Sequence, residues 1–146
     1  MGGIIMDKRH ILKATREIKF RGKRLDNGEW ITGSETYIHD GDGVWLSDET
    51  TDVVKVDPET VGQFTGLEDK NGKNVYEGDI LGSEGRVIGW VKGGVRGYCY
   101  DVVYINHPAG ESDWPLYSTV KYDYSEQIEV IGNIHDNPEI LEAGNK

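Results

Sequence analysis

His39, Asp40, Asp42 and Asp48 form the first cluster in the chain with the chemistry to hold a hard cation. A calcium loop needs oxygen ligands at alternate positions, a central glycine and a distal glutamate. Here Val44 takes the third ligand position and Thr51 the last, so the pattern fails, and a turn rich in Asp and Gly accounts for the same residues. No metal site is expected. His39, His107 and His135 could each move a proton near neutral pH, but none has a nucleophile and an orienting group at a workable spacing. Cys99 lies between tyrosines in a strand-like run, where a small buried side chain is its usual role. His135 stands beside Asp136 just ahead of a helix signal, which suits a structural hydrogen bond. Gly93-Gly94-Val95-Arg96-Gly97 resembles a phosphate loop only in composition. Such loops lead into a helix whose amides face the anion, whereas the residues after Gly97 read as strand. No catalytic residues and no cofactor are expected.

The aromatic residues are the strongest lead to a function. Strand alternation places Ile88 and Trp90 on one face, and Tyr98, Tyr100, Val102 and Tyr104 on another, with Tyr122 and Tyr124 on a neighbouring strand. Such a surface could stack on bases or sugars, close a subunit interface, or fill an ordinary core. Trp90, Tyr98, Tyr100 and Tyr104 are the candidate interaction face.

These side chains need β elements to position them. Twenty glycines and ten per cent aromatics in 146 residues favour strands joined by tight turns. Glu17 to Arg21 alternates polar and apolar, Asp26-Asn27-Gly28-Glu29 signals a type I′ hairpin, and Trp30-Ile31-Thr32, Thr36-Tyr37-Ile38, Val44-Trp45-Leu46 and Val53 to Val56 continue in strand-favouring residues. Val61 to Leu81 reads as a strand, an Asn71-Gly72 turn and a return ending in Glu77-Gly78-Asp79-Ile80-Leu81, where Asp79 can accept from turn amides. The second half adds Gly85 to Val91, a longest strand from Tyr98 to Ile105, a further strand from Tyr117 to Tyr124, and Ile128 to Gly132. Asn137 and Pro138 then open a short helix over Glu139 to Glu142.

The expected fold is mainly β. Residues 76–135 form an SH3-like small barrel packed with an N-terminal β region (residues 16–75), and a short C-terminal helix spans residues 137–142. Residues 16–142 make one domain, and residues 1–15 are an extension without periodicity. Gly2-Gly3 ahead of Met6 is compatible with a ribosome-binding sequence, so Met6 is expected to be the true start; an intact mass that includes residues 1–5 would sink that idea.

With 26 acidic and 16 basic residues the net charge is −10, which repels phosphate backbones and disfavours general nucleic-acid binding. Lys8, Arg9, Lys13, Arg16, Lys19, Arg21, Lys23 and Arg24 gather early, as solvated strand edges do. No apolar run approaches the roughly 20 residues that cross a bilayer. One cysteine cannot form an internal disulfide, and a cytoplasmic setting is the expectation.

Three blocks resemble the YopX family of small phage and prophage proteins. They are Arg16 to Gly22 (Arg-Glu-Ile-Lys-Phe-Arg-Gly), Asp57 to Ile80 with its Gly-Gln-Phe-Thr-Gly-Leu core, and Glu129 to Leu141 with Ile-Gly-Asn-Ile-His-Asp-Asn-Pro. The resemblance implies a predominantly β, oligomeric protein in a bacterial host and carries no catalytic residues. A non-enzymatic accessory protein that self-associates and binds a host or phage protein is therefore the leading expectation. The alternatives are an acidic nucleic-acid mimic that occupies a DNA-binding protein, and a single-stranded nucleic-acid binder acting through the aromatic face.

Overall fold

The computed structural model describes residues 17–39, 43–48, 52–93, 100–105, 113–123 and 127–144. The first half supplies β1 (Phe20–Lys23), β2 (Trp30–His39), β3 (Gly43–Asp48), β4 (Val53–Val56), β5 (Gly62–Glu68) and β6 (Asn74–Tyr76), with a 3-10 turn at Pro58–Thr60. They form one antiparallel sheet in the order β4-β3-β2-β1-β5-β6. The second half supplies β7 (Asp79–Ser83), β8 (Arg86–Lys92), β9 (Asp101–Tyr104), β10 (Asp113–Pro115) and β11 (Glu129–Asn133), followed by a helix over Pro138–Gly144. Their order is β10-β9-β8-β7-β11, again antiparallel throughout. The fold is mainly β, as the composition requires, but no closed barrel forms among the described residues. The 76–135 region is an open five-stranded sheet.

The first sheet curls on itself. β1 is short and carries Gly22, whose missing side chain leaves room for Val56 of β4 at 3.2 Å from where a Cβ would stand. Val56 then bridges to Arg24 just past β1, and Leu46 and Val56 are sealed inside the curl. Trp30–His39 is one long strand rather than two, since a bulge between Gly33 and Glu35 absorbs the interruption. The two Asn-Gly hairpins are wider than type I′ turns. The first closes with Arg24 and Glu29 paired, the second with Asp69 and Lys73 paired, and in each only the glycine (Gly28, Gly72) has positive φ. A type I turn ending in one left-handed residue needs glycine at that last position and leaves asparagine unstrained.

The second sheet packs one face on a core of Leu81, Ile88, Val91, Val102, Tyr104, Leu116, Val120, Ile128 and Val130, joined by Val75 from the first sheet. Two expectations are corrected here. Tyr117 to Tyr124 does not begin as a strand: Leu116–Ser118 forms a helical turn that widens into a π-turn at Thr119–Asp123. Leu116, Thr119 and Val120 are buried while Tyr117 and Lys121 are exposed, which is a helical spacing. Thr119 helps by donating its hydroxyl to the Pro115 carbonyl at 3.1 Å. Ile88 does not share a face with Trp90 either. The register slips between Leu81 and Gly82 opposite Ile88, and that bulge turns Ile88 into the core beside Val91.

The far face of the second sheet is covered by the C-terminal helix. Gly132 pairs with Ile80, and Ile80 with Trp90, so the three share that face. The Ile140 side chain lies over Gly132, where a Cβ would meet it at 3.0 Å. No helix among the described residues is long and apolar enough to cross a membrane.

Candidate functional site

Where the chain passes from the first sheet to the second, an unusual concentration of charged and aromatic side chains assembles around Arg21. Alternation along β1 points Arg21 toward the turn joining β6 to β7. Its guanidinium lies 4.8 Å from the Trp30 ring centroid and 4.9 Å from that of Tyr76, stacked by both. One Nη reaches Asp79 at 2.7 Å and the Glu77 carbonyl at 3.3 Å. Asp79 is 1% exposed, and its second oxygen accepts from the Tyr76 amide at 2.8 Å. The expected turn-capping role of Asp79 is therefore present. Burial pushes its carboxyl above the ordinary range, against the opposing pull of Arg21 and the Tyr76 amide.

A second pair flanks the first. Trp30 opens β2 directly opposite Lys23 on β1. The Trp30 indole N–H donates to Asp136 at 2.7 Å, and the Lys23 ammonium meets the other Asp136 oxygen at 2.5 Å. Lys23 and Trp30, with Asn133, hold Asp136 down at about 2. The His135 ring packs beside Gly78 and 6.0 Å from the Trp30 ring. Burial first, then Arg21, lowers its pKa below that of a free imidazole. Backbone bonds stitch the same place: Ile134 donates to the Gly78 carbonyl, and Gly78 to that of Val91, both at 2.8 Å. The sequence groups Arg21 and Lys23 with solvated edge cations. Both instead hold acids from the other sheet.

The other end of the junction is polar as well. Asp69, in the loop between β5 and β6, accepts from the amides of Asn71, Lys73 and Val130, each at 2.9 Å. Its burial would raise the carboxyl pKa, but these three amides outweigh it and the net shift is downward. Lys70 donates its amide to the Ile128 carbonyl at 2.8 Å. The Val130 amide of β11 and the Ile128 carbonyl just before it are therefore taken by a loop of the first sheet.

Of the expected aromatic face, Trp90, Tyr100 and Tyr104 are described, and Trp90 stands apart from the other two. Tyr104 is 4% exposed, sits in the core, and shares a 2.8 Å hydrogen bond with Thr119. Tyr100 packs against that core. Trp90 pairs with Val103 and Ile80 and so lies on the opposite face. Tyr98, Cys99, His107 and Tyr124 lie outside the described residues, as do Asp40 and Asp42; His39 ends β2. Among the described residues the exposed aromatics are Tyr37 (38%) on β2 and the pair Trp114 (43%) and Tyr117 (55%), on β10 and the helical turn behind it. Proline and leucine between them disguised the pair as part of a loop and a strand. A shallow depression of about 460 Å³ also opens between Leu25, Trp45 and Val53, with Lys55 over the Trp45 ring.

A family model described as YopX protein matches residues 19–142. The chain belongs to the YopX family. In this YopX protein the three blocks that carry the sequence resemblance converge at one place: Arg21 from the first, Glu77 to Asp79 from the second, His135 and Asp136 from the third. The charges there neutralise one another across two sheets, so what the arrangement does chemically is clasp, with His135 as the one imidazole in it. No curated protein matches the chain.

Proposed function

We propose that this YopX protein is a non-enzymatic phage or prophage accessory protein that acts in the bacterial cytoplasm by self-association and protein–protein contact. One observation carries the reading. Trp114 and Tyr117 stay exposed at the β10 end of the sheet β10-β9-β8-β7-β11, while at its opposite edge the Val130 amide is already taken by the Asp69 loop. Pro115 deprives β10 of a backbone donor, so side-chain packing rather than strand addition is the mode of contact. Large rigid aromatics at a rim are the usual anchors of such contacts. The order of the second sheet, with β11 returning beside β7 after a helical turn, also supports an SH3-like small barrel in opened form.

Light scattering over a dilution series at low and high salt tests the reading. The expected result is a wild-type oligomer and a folded monomer for Trp114→Ser/Tyr117→Ser. A wild-type monomer throughout, or an unchanged oligomer in the double variant, would overturn it. Capture of nucleic acid by the wild type in a nuclease-sensitive manner would favour single-strand binding instead.

A further inference from the structure

His135 differs from every other charged or titratable group in the inter-sheet clasp. Arg21 and Lys23 are fixed cations, each against its own carboxylate. Glu77 turns away, accepting the Gln63 amide at 2.8 Å. Asp57, before the 3-10 turn, accepts from Glu59, and Asp136 is held by Lys23 and Trp30. Only the imidazole changes charge near neutral pH in the ordinary course. It is half-buried, with its Nε2 edge against the Gly78 turn, where a Cβ would lie 3.4 Å away. Arg21 cannot withdraw to make room for a second cation, because Trp30, Tyr76 and Asp79 hold it from three sides.

We propose that His135 is a pH-sensitive catch on the clasp: when protonated, its ring leaves the Gly78 turn and the two sheets loosen at that end. The charged ring needs water, which the half-buried position supplies less fully than the open one, and the cations that oppose it are Arg21 and Lys23. Asp136 and Asp57 favour the charged ring, but burial and Arg21 outweigh them. The folded pKa is below the unfolded one, so the unfolded chain binds the proton more readily. Stability from neutral His135 is thus complete above the ordinary histidine pKa and is lost as pH falls toward the folded value. Asp79 works in the opposite sense, since burial raises its pKa and protonation there favours the fold. Swinging out the ring leaves the Ile134-to-Gly78 backbone bond without its cover, so that bond reports the motion.

Amide hydrogen exchange of the full chain at about pH 7.5 and about pH 5.5, corrected for intrinsic rates, reads the effect across the histidine range. In wild type, protection of Ile134 and Gly78 is expected to fall on acidification relative to Phe64 and Ile105, whose bonds lie within single sheets. In His135→Gln that ratio is expected to stay constant. An unchanged ratio in wild type, or a fall in His135→Gln equal to that of wild type, would overturn the proposal. If His135→Gln does not fold, the wild type still decides: loss of protection at Ile134 must share its midpoint with the titration of the His135 ring protons by NMR. Separate midpoints sink the catch.

Discussion

Asp136 shows how much a half-exposed carboxylate can gain from two good donors. Lys23 supplies a charge-assisted bond and Trp30 a directional one, and together they hold the group down at about 2 against the ordinary 3.8. A depressed carboxylate contributes stability that is present above its unfolded pKa and lost as pH falls toward the folded value. Asp136→Asn keeps an oxygen for the Trp30 indole and removes only the charge. It is expected to lower stability by about 1 kcal/mol near neutral pH, the shift discounted for solvent screening. The difference from wild type should shrink as pH falls below 3.8 and close near 2, as read from urea midpoints across a pH series. Asp69 titrates in the same direction, but it does so in both proteins and cancels. A constant difference across that range would show that the charge on Asp136 is not what matters. At this scale the sequence was partly legible. Asp79 capping its own turn follows from local spacing. Arg21 finding Asp79, or Trp30 finding Asp136, depends on how two sheets are stacked, and no local pattern carries that information.

Strands were legible as strands at β3 and β4. β1 is displaced: the alternation from Glu17 to Arg21 turns Ile18 inward, but Ile18 is 61% exposed and the strand runs over Phe20–Lys23. Alternation misleads where another period is hidden under tyrosines and threonines. Leu116 to Asp123 looks β-branched and aromatic, yet its buried set follows the turn of a helix. Pro115 blocks continuation of β10, and Thr119 offers the backbone a local partner that a strand would not use. The same hydroxyl is shared with the Tyr104 phenol inside the core, so the turn is tied to β9 as well as to its own start. Thr119→Val is isosteric but removes this buried hydrogen bond, at a cost of about 0.5–1.5 kcal/mol. The double variant Tyr104→Phe/Thr119→Val is expected to lose less than the sum of the two single variants, because each of those already removes the shared bond. Thermal or urea unfolding of the four proteins in the cycle measures it, and strictly additive losses would mean that the two hydroxyls do not act together. The bulge at Ile88 belongs to the same class of misreading. One extra residue reverses the alternation from that point, which is why Trp90 was placed with Ile88 and lies on the other face.

Two sheets with distinct interiors could make two domains, but here their cores share side chains. Val75 on β6 belongs to the first sheet and is fully buried in the core of the second, and Leu67 of β5 packs against the same cluster. Melting the first sheet would therefore expose apolar surface of the second. The polar contacts reinforce this from both ends, the Arg21–Asp79 pair at one and the Val130 amide on Asp69, with the Lys70 amide on the Ile128 carbonyl, at the other. A buried pair of this kind adds little compared with a well-packed apolar substitute, but removing one member leaves an uncompensated charge at a cost of about 3–5 kcal/mol. The whole of the described chain is thus expected to unfold in a single transition, with near-ultraviolet aromatic and far-ultraviolet backbone signals coinciding. Asp79→Ala should lower the midpoint while leaving the transition single, because Val75 and Leu67 still bridge the cores. Adding Asp69→Ala removes the second polar tie, and Val75→Ala in that background removes the main apolar one. Only then should the two probes separate, since each sheet keeps an interior of its own, Leu46 and Val56 in the first and Leu81, Val91 and Val102 in the second. Separation already in wild type would divide the chain into two domains joined at Glu77-Gly78 and would make the clasp a contact between modules.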